Sequence, residues 1–125
     1  MPAALTEPAI RCYIAGPMTG MPDYNHEAFA VAAFGLRRLG LEVVSPAELH
    51  ADTDKTRAHY MSIDVHALLT THMVAALPGW ESSQGALLEV DLAEQTGRPV
   101  MCITGRTMDA WREAIRRSPP GAGGS

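Results

Sequence analysis

A glutamate on the packing side of a helix is the most chemically distinctive residue of this chain. The sequence predicts a helix that begins with Ser82 or Ser83 as its N-cap and ends at Gly97, a residue suited to the left-handed C′ position. Glu89 shares the side of this helix that carries the small apolar residues. An ionised carboxylate is costly on such a side unless it has partners or a function.

The start of this helix could hold an anion beside Glu89. Helical side chains lean towards the N-terminus, so Glu89 reaches back over Gly85, which has no side chain to cover it. Backbone N–H groups and the hydroxyls of Ser82 and Ser83 could bind an anion there. An acid beside an anion site is the predicted active site. Two plainer interpretations stay open: Glu89 could pair with a base on the helix surface, and Ser83 could be only an N-cap.

Asp64 is the second candidate acid. We expect a helix over residues 60–71, and near its start Asp64 could serve only to complement the helix dipole. Because this helix precedes the third predicted strand, its carboxyl could also reach the crevice beside Glu89. Two carboxylates in different surroundings allow one to act ionised as a nucleophile while the other is held protonated as an acid.

The composition indicates one domain and gives no support for binding to nucleic acid or membranes. The chain has 125 residues, of which 46% are hydrophobic, and its net charge is −4. We assign the domain to residues 1–117 and expect disorder over residues 118–125. No signal peptide or membrane-spanning segment is expected, which predicts a cytoplasmic protein. Cys12 and Cys102 lie in apolar runs and are expected to be buried free thiols.

Strand and helix patterns alternate along the chain. The predicted strands cover residues 10–15, 41–45, 73–77 and 100–103, and further helices cover residues 25–39 and 108–117. This alternation predicts an α/β fold, a flavodoxin- or Rossmann-like three-layer sandwich with four or five parallel strands in the order 2-1-3-4. Asn25 is expected to cap the first helix, and Leu39 to face inward. The switch point brings the loop 16–24 to the loop 78–85.

Several other site types are disfavoured. The loop at residues 16–24 lacks the spacing of a dinucleotide fingerprint or a Walker loop, and it could be merely a turn. The five histidines show no metal-ligand spacing, although His59 or His66 could line the pocket; His72 is predicted at a strand edge. There is no nucleophile elbow, and neither cysteine begins a helix.

Two motifs carry a family resemblance. Residues 13–20 read Tyr-Ile-Ala-Gly-Pro-Met-Thr-Gly, and residues 79–86 read Gly-Trp-Glu-Ser-Ser-Gln-Gly-Ala. From about residue 11 to residue 100 the chain resembles the nucleoside 2-deoxyribosyltransferase family, including its 2′-deoxynucleoside 5′-monophosphate N-glycosidases. The resemblance implies cleavage of a base–sugar bond in a nucleotide or nucleoside, no metal or organic cofactor, and a homodimer or higher homo-oligomer.

The resemblance also implies residue roles. Glu89 would attack the anomeric carbon of the sugar, and Asp64 would assist the leaving base or orient the sugar. Ser83 stands where transferases acting on free nucleosides have an aspartate, and a hydroxyl there favours a phosphate. Tyr13 is the third residue assigned to catalysis. The residues assigned to substrate binding are Gly16, Pro17, Met18, Gly20, Ser82, Ser83 and Gly85.

Three features depart from the family pattern. His72 replaces the usual acid before the third strand, Met18 and Thr19 stand where the monophosphate hydrolases have a basic residue, and the spacing from Asp64 to Glu89 is one residue longer. Two alternatives to a monophosphate hydrolase therefore stay open. One is base transfer between free nucleosides, and the other is a binding module that senses a nucleotide without turning it over.

Overall fold

Four parallel strands form the centre of the structure, which is a computed structural model that describes residues 9–50 and 55–117. The strands are β1 (Arg11–Ala15), β2 (Glu42–Val44), β3 (Met73–Ala76) and β4 (Val100–Cys102). They form one sheet in the order β2-β1-β3-β4, and every neighbouring pair is parallel. The predicted α/β fold and strand order are therefore confirmed.

Five helices connect and cover the strands: α1 (His26–Arg38), α2 (Pro46–Leu49), α3 (Arg57–Leu68), α4 (Gln84–Gln95) and α5 (Gly105–Arg117). One apolar cluster joins residues of α1 and α5 to one face of the sheet, and a second joins residues of α3 and α4 to the other. This is the predicted three-layer sandwich. None of the helices among the described residues is long and apolar enough to cross a membrane.

β1 is the most deeply buried strand. Its side chains from Cys12 to Ala15 are fully buried, as expected for a central parallel strand with helices on both faces. Alternation along the strand directs Cys12 and Ile14 towards the α1 side and Tyr13 towards the α4 side. The fold thus places the one tyrosine of this strand beneath the helix that carries Glu89.

α3 begins one turn earlier than the sequence pattern indicates. The side chain of Thr56 caps it by accepting a hydrogen bond from the backbone N–H of His59 at 3.2 Å, and the helix ends at Leu68. Asp64 therefore lies in the second half of the helix, and it is buried. The prediction that it lies near the helix start is wrong, and a dipole-complementing role at that end is excluded.

Three smaller predictions are also wrong. Leu39 is 70% exposed because α1 ends at Arg38 and Leu39 follows as its C-cap. Cys102 is exposed because it ends the edge strand β4, whereas Cys12 is buried; both are free. The side chain of Asn25 makes no cap hydrogen bond but donates to the carbonyl of Pro17 at 3.0 Å. The predicted disorder of residues 118–125 lies outside the described residues.

The contact between α1 and α5 yields a prediction. A Cβ added at Gly35 would come within 2.2 Å of the Trp111 ring. We expect Gly35→Ala to lower the free energy of unfolding by about 1–3 kcal/mol through overpacking, despite the better helix propensity of alanine. Urea unfolding measures this.

The matched control is Gly105→Ala, since no heavy atom would lie within 4 Å of the added carbon there. It should leave stability unchanged or slightly raise it. Equal stabilities for the two variants would contradict the packing that we describe.

Candidate active site

A cavity of about 650 Å³ opens at the carboxyl ends of the strands. Its walls come from the loop after β1, the start of α4, the inward side of α3 and the segment around α2. Open parallel sheets bind ligands at this edge, where the strand order reverses. Glu89, Asp64, Ser82 and Ser83 all line the cavity, so the fold brings the predicted acids and the predicted anion site together.

Glu89 is held by the central strand. The hydroxyl of Tyr13 donates a hydrogen bond of 2.6 Å to Oε2 of Glu89, and both residues are buried. The distance lies at the short end of the range for O–H···O hydrogen bonds. This contact argues against the interpretation of Glu89 as a surface acid paired with a base.

Burial changes the protonation of Glu89. Loss of solvation raises the pKa of its carboxyl to about 8; the hydrogen bond from Tyr13 opposes the rise, and the nearby charge of Asp64 adds to it. Burial, together with the charges of Glu89 and Asp64, also raises the pKa of Tyr13 well above its usual range. The tyrosine therefore remains a hydrogen-bond donor. Near pH 7 most of the Glu89 carboxyl is therefore protonated, and it must lose this proton before it can act as a nucleophile.

Asp64 has a partner that sequence analysis missed. Its Oδ1 lies 2.7 Å from Nε2 of His50, the residue that follows α2. Burial raises the pKa of Asp64, and His50 opposes that rise through its charge and its hydrogen bond. The His50 ring also packs edge-on against Tyr60, with 4.7 Å between ring centroids. These contacts fix the Asp64 carboxyl at the cavity wall.

Ser83 is the N-cap of α4. Its Oγ accepts a hydrogen bond of 3.2 Å from the N–H of Ala86, which leaves the hydroxyl proton able to donate to an anion. Ser82 ends the short 3-10 turn Trp80–Ser82 just before it. A Cβ at Gly85 would meet only Sδ of Met61 at an ordinary 3.9 Å, so packing does not require this glycine. Without a side chain at that position, the cavity stays open above Glu89.

The loop after β1 contributes only in part. Gly16, Met18 and Thr19 line the cavity, whereas Pro17 and Gly20 do not. A Cβ on Gly16 would lie 2.9 Å from the Leu77 side chain, so the close approach of the two strand ends requires glycine. Substrate binding by Pro17 and Gly20 stays a prediction.

Several lining residues carried no signal in the sequence. His26 and His50 line the cavity, whereas His59 and His66, the histidines named from the sequence, do not. His72 instead accepts a hydrogen bond from the backbone of Arg11, which fits the predicted strand-edge role.

Two cations also line the cavity. Lys55 and Arg57 lie at the start of α3, and neither makes an ion pair among the residues that the structure describes. They bring positive charge to the cavity. The loop after β1 does not, because Met18 and Thr19 stand where the monophosphate hydrolases have a basic residue. In the described part of the chain, no three His, Cys, Asp or Glu residues are grouped to hold a metal ion.

The raised pKa of Glu89 predicts a pH-dependent stability. An unfolded glutamate titrates near 4.5, so between that pH and about 8 the folded state binds more protons and stability falls as pH rises. The isosteric, neutral Glu89→Gln variant should escape this loss. Relative to wild type it should gain up to about 1.4 kcal/mol per pH unit across this window. Urea unfolding at pH 5 and pH 8 measures the difference.

Glu94→Gln is the control, because Glu94 lies on the exposed side of the same helix. Its stability should differ from that of wild type by a similar amount at both pH values. A Glu89→Gln variant that behaves in the same way would show that the buried carboxyl titrates normally.

Comparison with known families gives one match. A model of the family described as "Domain of unknown function (DUF4406)" matches residues 10–102. The match spans all four strands and every cavity-lining residue, and it leaves out α5. No match is found among curated proteins.

Solved structures share the fold, and two of them illustrate the similarity to this chain. One is from a study of 2-deoxyribosyltransferase from Bacillus psychrosaccharolyticus, with a TM-score of 0.60 and 18% identity over 83% of this chain and 89% of that chain. The other is a conserved protein from Enterococcus faecalis V583, with a TM-score of 0.59 and 23% identity over 76% of this chain and 63% of that chain. Both matches confirm the fold that the sequence predicts.

Proposed function

We propose that this chain, which belongs to the family described as "Domain of unknown function (DUF4406)", is an N-glycosidase that cleaves the base–sugar bond of a nucleoside 5′-monophosphate. The observation that carries the proposal is the buried Glu89 carboxyl, hydrogen-bonded to Tyr13 in a cavity beside the N-terminus of α4. A buried acid next to an anion site fits a reaction at a sugar carbon whose far end carries a phosphate.

In the first step, an ionised Glu89 oxygen attacks C1′ as the bond from C1′ to the base nitrogen breaks. The transition state resembles an oxocarbenium ion and yields a glycosyl ester on Glu89. The hydrogen bond from Tyr13 favours the ionised form of Glu89 and orients its carboxylate. The base leaves with a proton from the Asp64 carboxyl, whose pKa is raised by burial.

In the second step, water attacks C1′ of the ester and Glu89 leaves as a carboxylate. The proton lost by water returns to Asp64, which restores both acids for the next turnover. The products are the free base and a sugar 5-phosphate. Contact with His50 at 2.7 Å holds Asp64 in place through both steps.

The preference for a monophosphate rests on charge. Ser83 can donate its hydroxyl proton to a phosphate oxygen at the start of α4, where the helix dipole favours negative charge. Lys55 and Arg57 line the same cavity and add positive potential. An aspartate in place of Ser83 would repel the phosphate.

The fold neighbour favours one alternative. That protein is a 2-deoxyribosyltransferase, and transfer differs from hydrolysis only in the second step, where a second base rather than water opens the ester. Base release that requires an added acceptor base would identify a transferase.

Assembly into a homo-oligomer and a cytoplasmic location stay predictions.

The function is tested by incubating the protein with a panel of nucleosides and their 5′-monophosphates and measuring free base by chromatography. Wild type should release base from at least one monophosphate. Because Glu89 is the covalent nucleophile, Glu89→Ala should lower the rate by roughly three orders of magnitude or more. Glu94→Gln, on the exposed side of α4, should retain full activity. Retention of more than about a tenth of wild-type activity by Glu89→Ala would exclude the nucleophile role.

The Tyr13 contact predicts the pH dependence. Activity requires ionised Glu89, so kcat/KM of wild type should rise as the pH increases towards the Glu89 pKa of about 8. At higher pH it should fall again, because the Asp64 carboxyl that protonates the leaving base loses its own proton. Tyr13→Phe removes the hydrogen bond that lowers this pKa, so the rise should move to higher pH. Relative to wild type, Tyr13→Phe should therefore lose most of its activity at pH 7 and recover part of it at pH 9. A uniform loss across the profile would mean that Tyr13 does not tune Glu89.

A further inference from the structure

An unusual backbone turn borders the cavity. Three successive residues other than glycine have left-handed conformations: Asp23 at φ 49°, Tyr24 at φ 51° and Asn25 at φ 63°. Aspartate and asparagine tolerate this region, whereas a bulky residue such as tyrosine is disfavoured in it. Residues held in this way persist where the surroundings fix them, and they cluster at sites that clamp ligands.

Local hydrogen bonds fix this turn. The N–H of Tyr24 donates to the carbonyl of Met21 at 3.0 Å, and the N–H of Met21 donates to the carbonyl of Met18 at 3.1 Å. The side-chain amide of Asn25 donates to the carbonyl of Pro17 at 3.0 Å. The turn is therefore tied to the loop that contributes Gly16, Met18 and Thr19 to the cavity lining.

Packing of the Tyr24 ring does not offset the strain. The residue is 53% exposed, yet it lines the cavity. Its nearest ring is that of His26, with centroids 6.5 Å apart and planes tilted by 46°. A large aromatic side chain that lines the cavity is thus held in an unfavourable backbone conformation.

The position of Tyr24 in the cavity indicates which part of a ligand it meets. Pro46 and His50 line the cavity on the β2 side, and His26 also borders a small adjoining pocket with Ser45. Ser82 and Ser83 lie on the β3 side, with Glu89 behind them on α4. A ligand with its phosphate at the serines and its C1′ at Glu89 extends its remaining part, the base, towards the β2 side and Tyr24.

We propose that Tyr24 is a substrate-binding residue that stacks on the nucleobase of the substrate, and that the left-handed turn presents its ring to the base. The proposal rests on the proposed function for the orientation of the ligand. Stacking on an aromatic ring tolerates every base, since each base has a π face. It therefore provides affinity for the base without fixing its identity.

The test separates the base from the rest of the ligand. Calorimetry in the Glu89→Gln background, in which the substrate is not consumed, measures binding of the four common 2′-deoxynucleoside 5′-monophosphates and of 2-deoxyribose 5-phosphate, which has no base. Adding Tyr24→Ala should weaken binding of the monophosphates by roughly tenfold or more and leave binding of 2-deoxyribose 5-phosphate unchanged. Tyr24→Phe should bind as the parent does. Met21→Ala is the matched control, because Met21 lies in the same turn and does not line the cavity.

Equal weakening for both kinds of probe, no weakening for either, or no binding of any of the four monophosphates by the parent would overturn the proposal. The result is independent of turnover. If the wild-type protein releases no base but monophosphates bind in a Tyr24-dependent manner, the glycosidase proposal fails and the stacking role stands. If base is released and Tyr24→Ala binds as tightly as its parent, only the stacking role fails.

The strain has its own readout. Glycine adopts positive φ without steric conflict, whereas alanine does not. Tyr24→Gly should therefore have a melting temperature a few degrees above that of Tyr24→Ala. The release of strain has to exceed the opposite effect of glycine, which increases the conformational entropy of the unfolded chain. A lower melting temperature for Tyr24→Gly would show that the turn is unstrained.

Discussion

The buried hydrogen bond between Tyr13 and Glu89 is the constraint on which the site depends. A carboxyl 4% exposed inside an apolar layer is unfavourable when ionised, and a single donor at 2.6 Å offsets only part of this. The result is a pKa of about 8, which makes the group neutral through most of the acidic and neutral range. Stability and the proposed reactivity therefore oppose each other at this residue, because the ionised form that the proposed reaction needs is the form that burial disfavours.

The two acids of the cavity differ in how the protein holds them. Glu89 receives its hydrogen bond from a tyrosine, whose pKa is raised so far that it stays a donor, whereas Oδ1 of Asp64 lies 2.7 Å from Nε2 of His50. A fixed donor suits a nucleophile that must keep one orientation. The contact with His50 fixes the position of the Asp64 carboxyl, which the proposed transfer of a proton to the leaving base requires.

The cavity combines contributions from elements that are distant in sequence. Parallel strands with right-handed crossovers bring all loops at one edge together, so residues around positions 16, 50, 57 and 83 meet although more than 60 positions separate the first from the last. Positive charge enters from Lys55 and Arg57 rather than from the loop after β1. The missing basic residue in that loop therefore does not leave the cavity without positive charge.

Much of this protein follows from the sequence alone. The alternation of strand and helix patterns along the chain determined the four parallel strands and their order. Helical periodicity placed Glu89 on the packing side of α4, beside a serine N-cap. Both predictions depend only on the spacing of apolar residues along the chain. Only the tertiary structure decided that His50 holds Asp64, that Tyr13 donates to Glu89, and that Lys55, Arg57 and Tyr24 border the cavity. These contacts join residues from separate loops and strands, and no local repeat encodes the distance between side chains that meet only after the sheet is assembled.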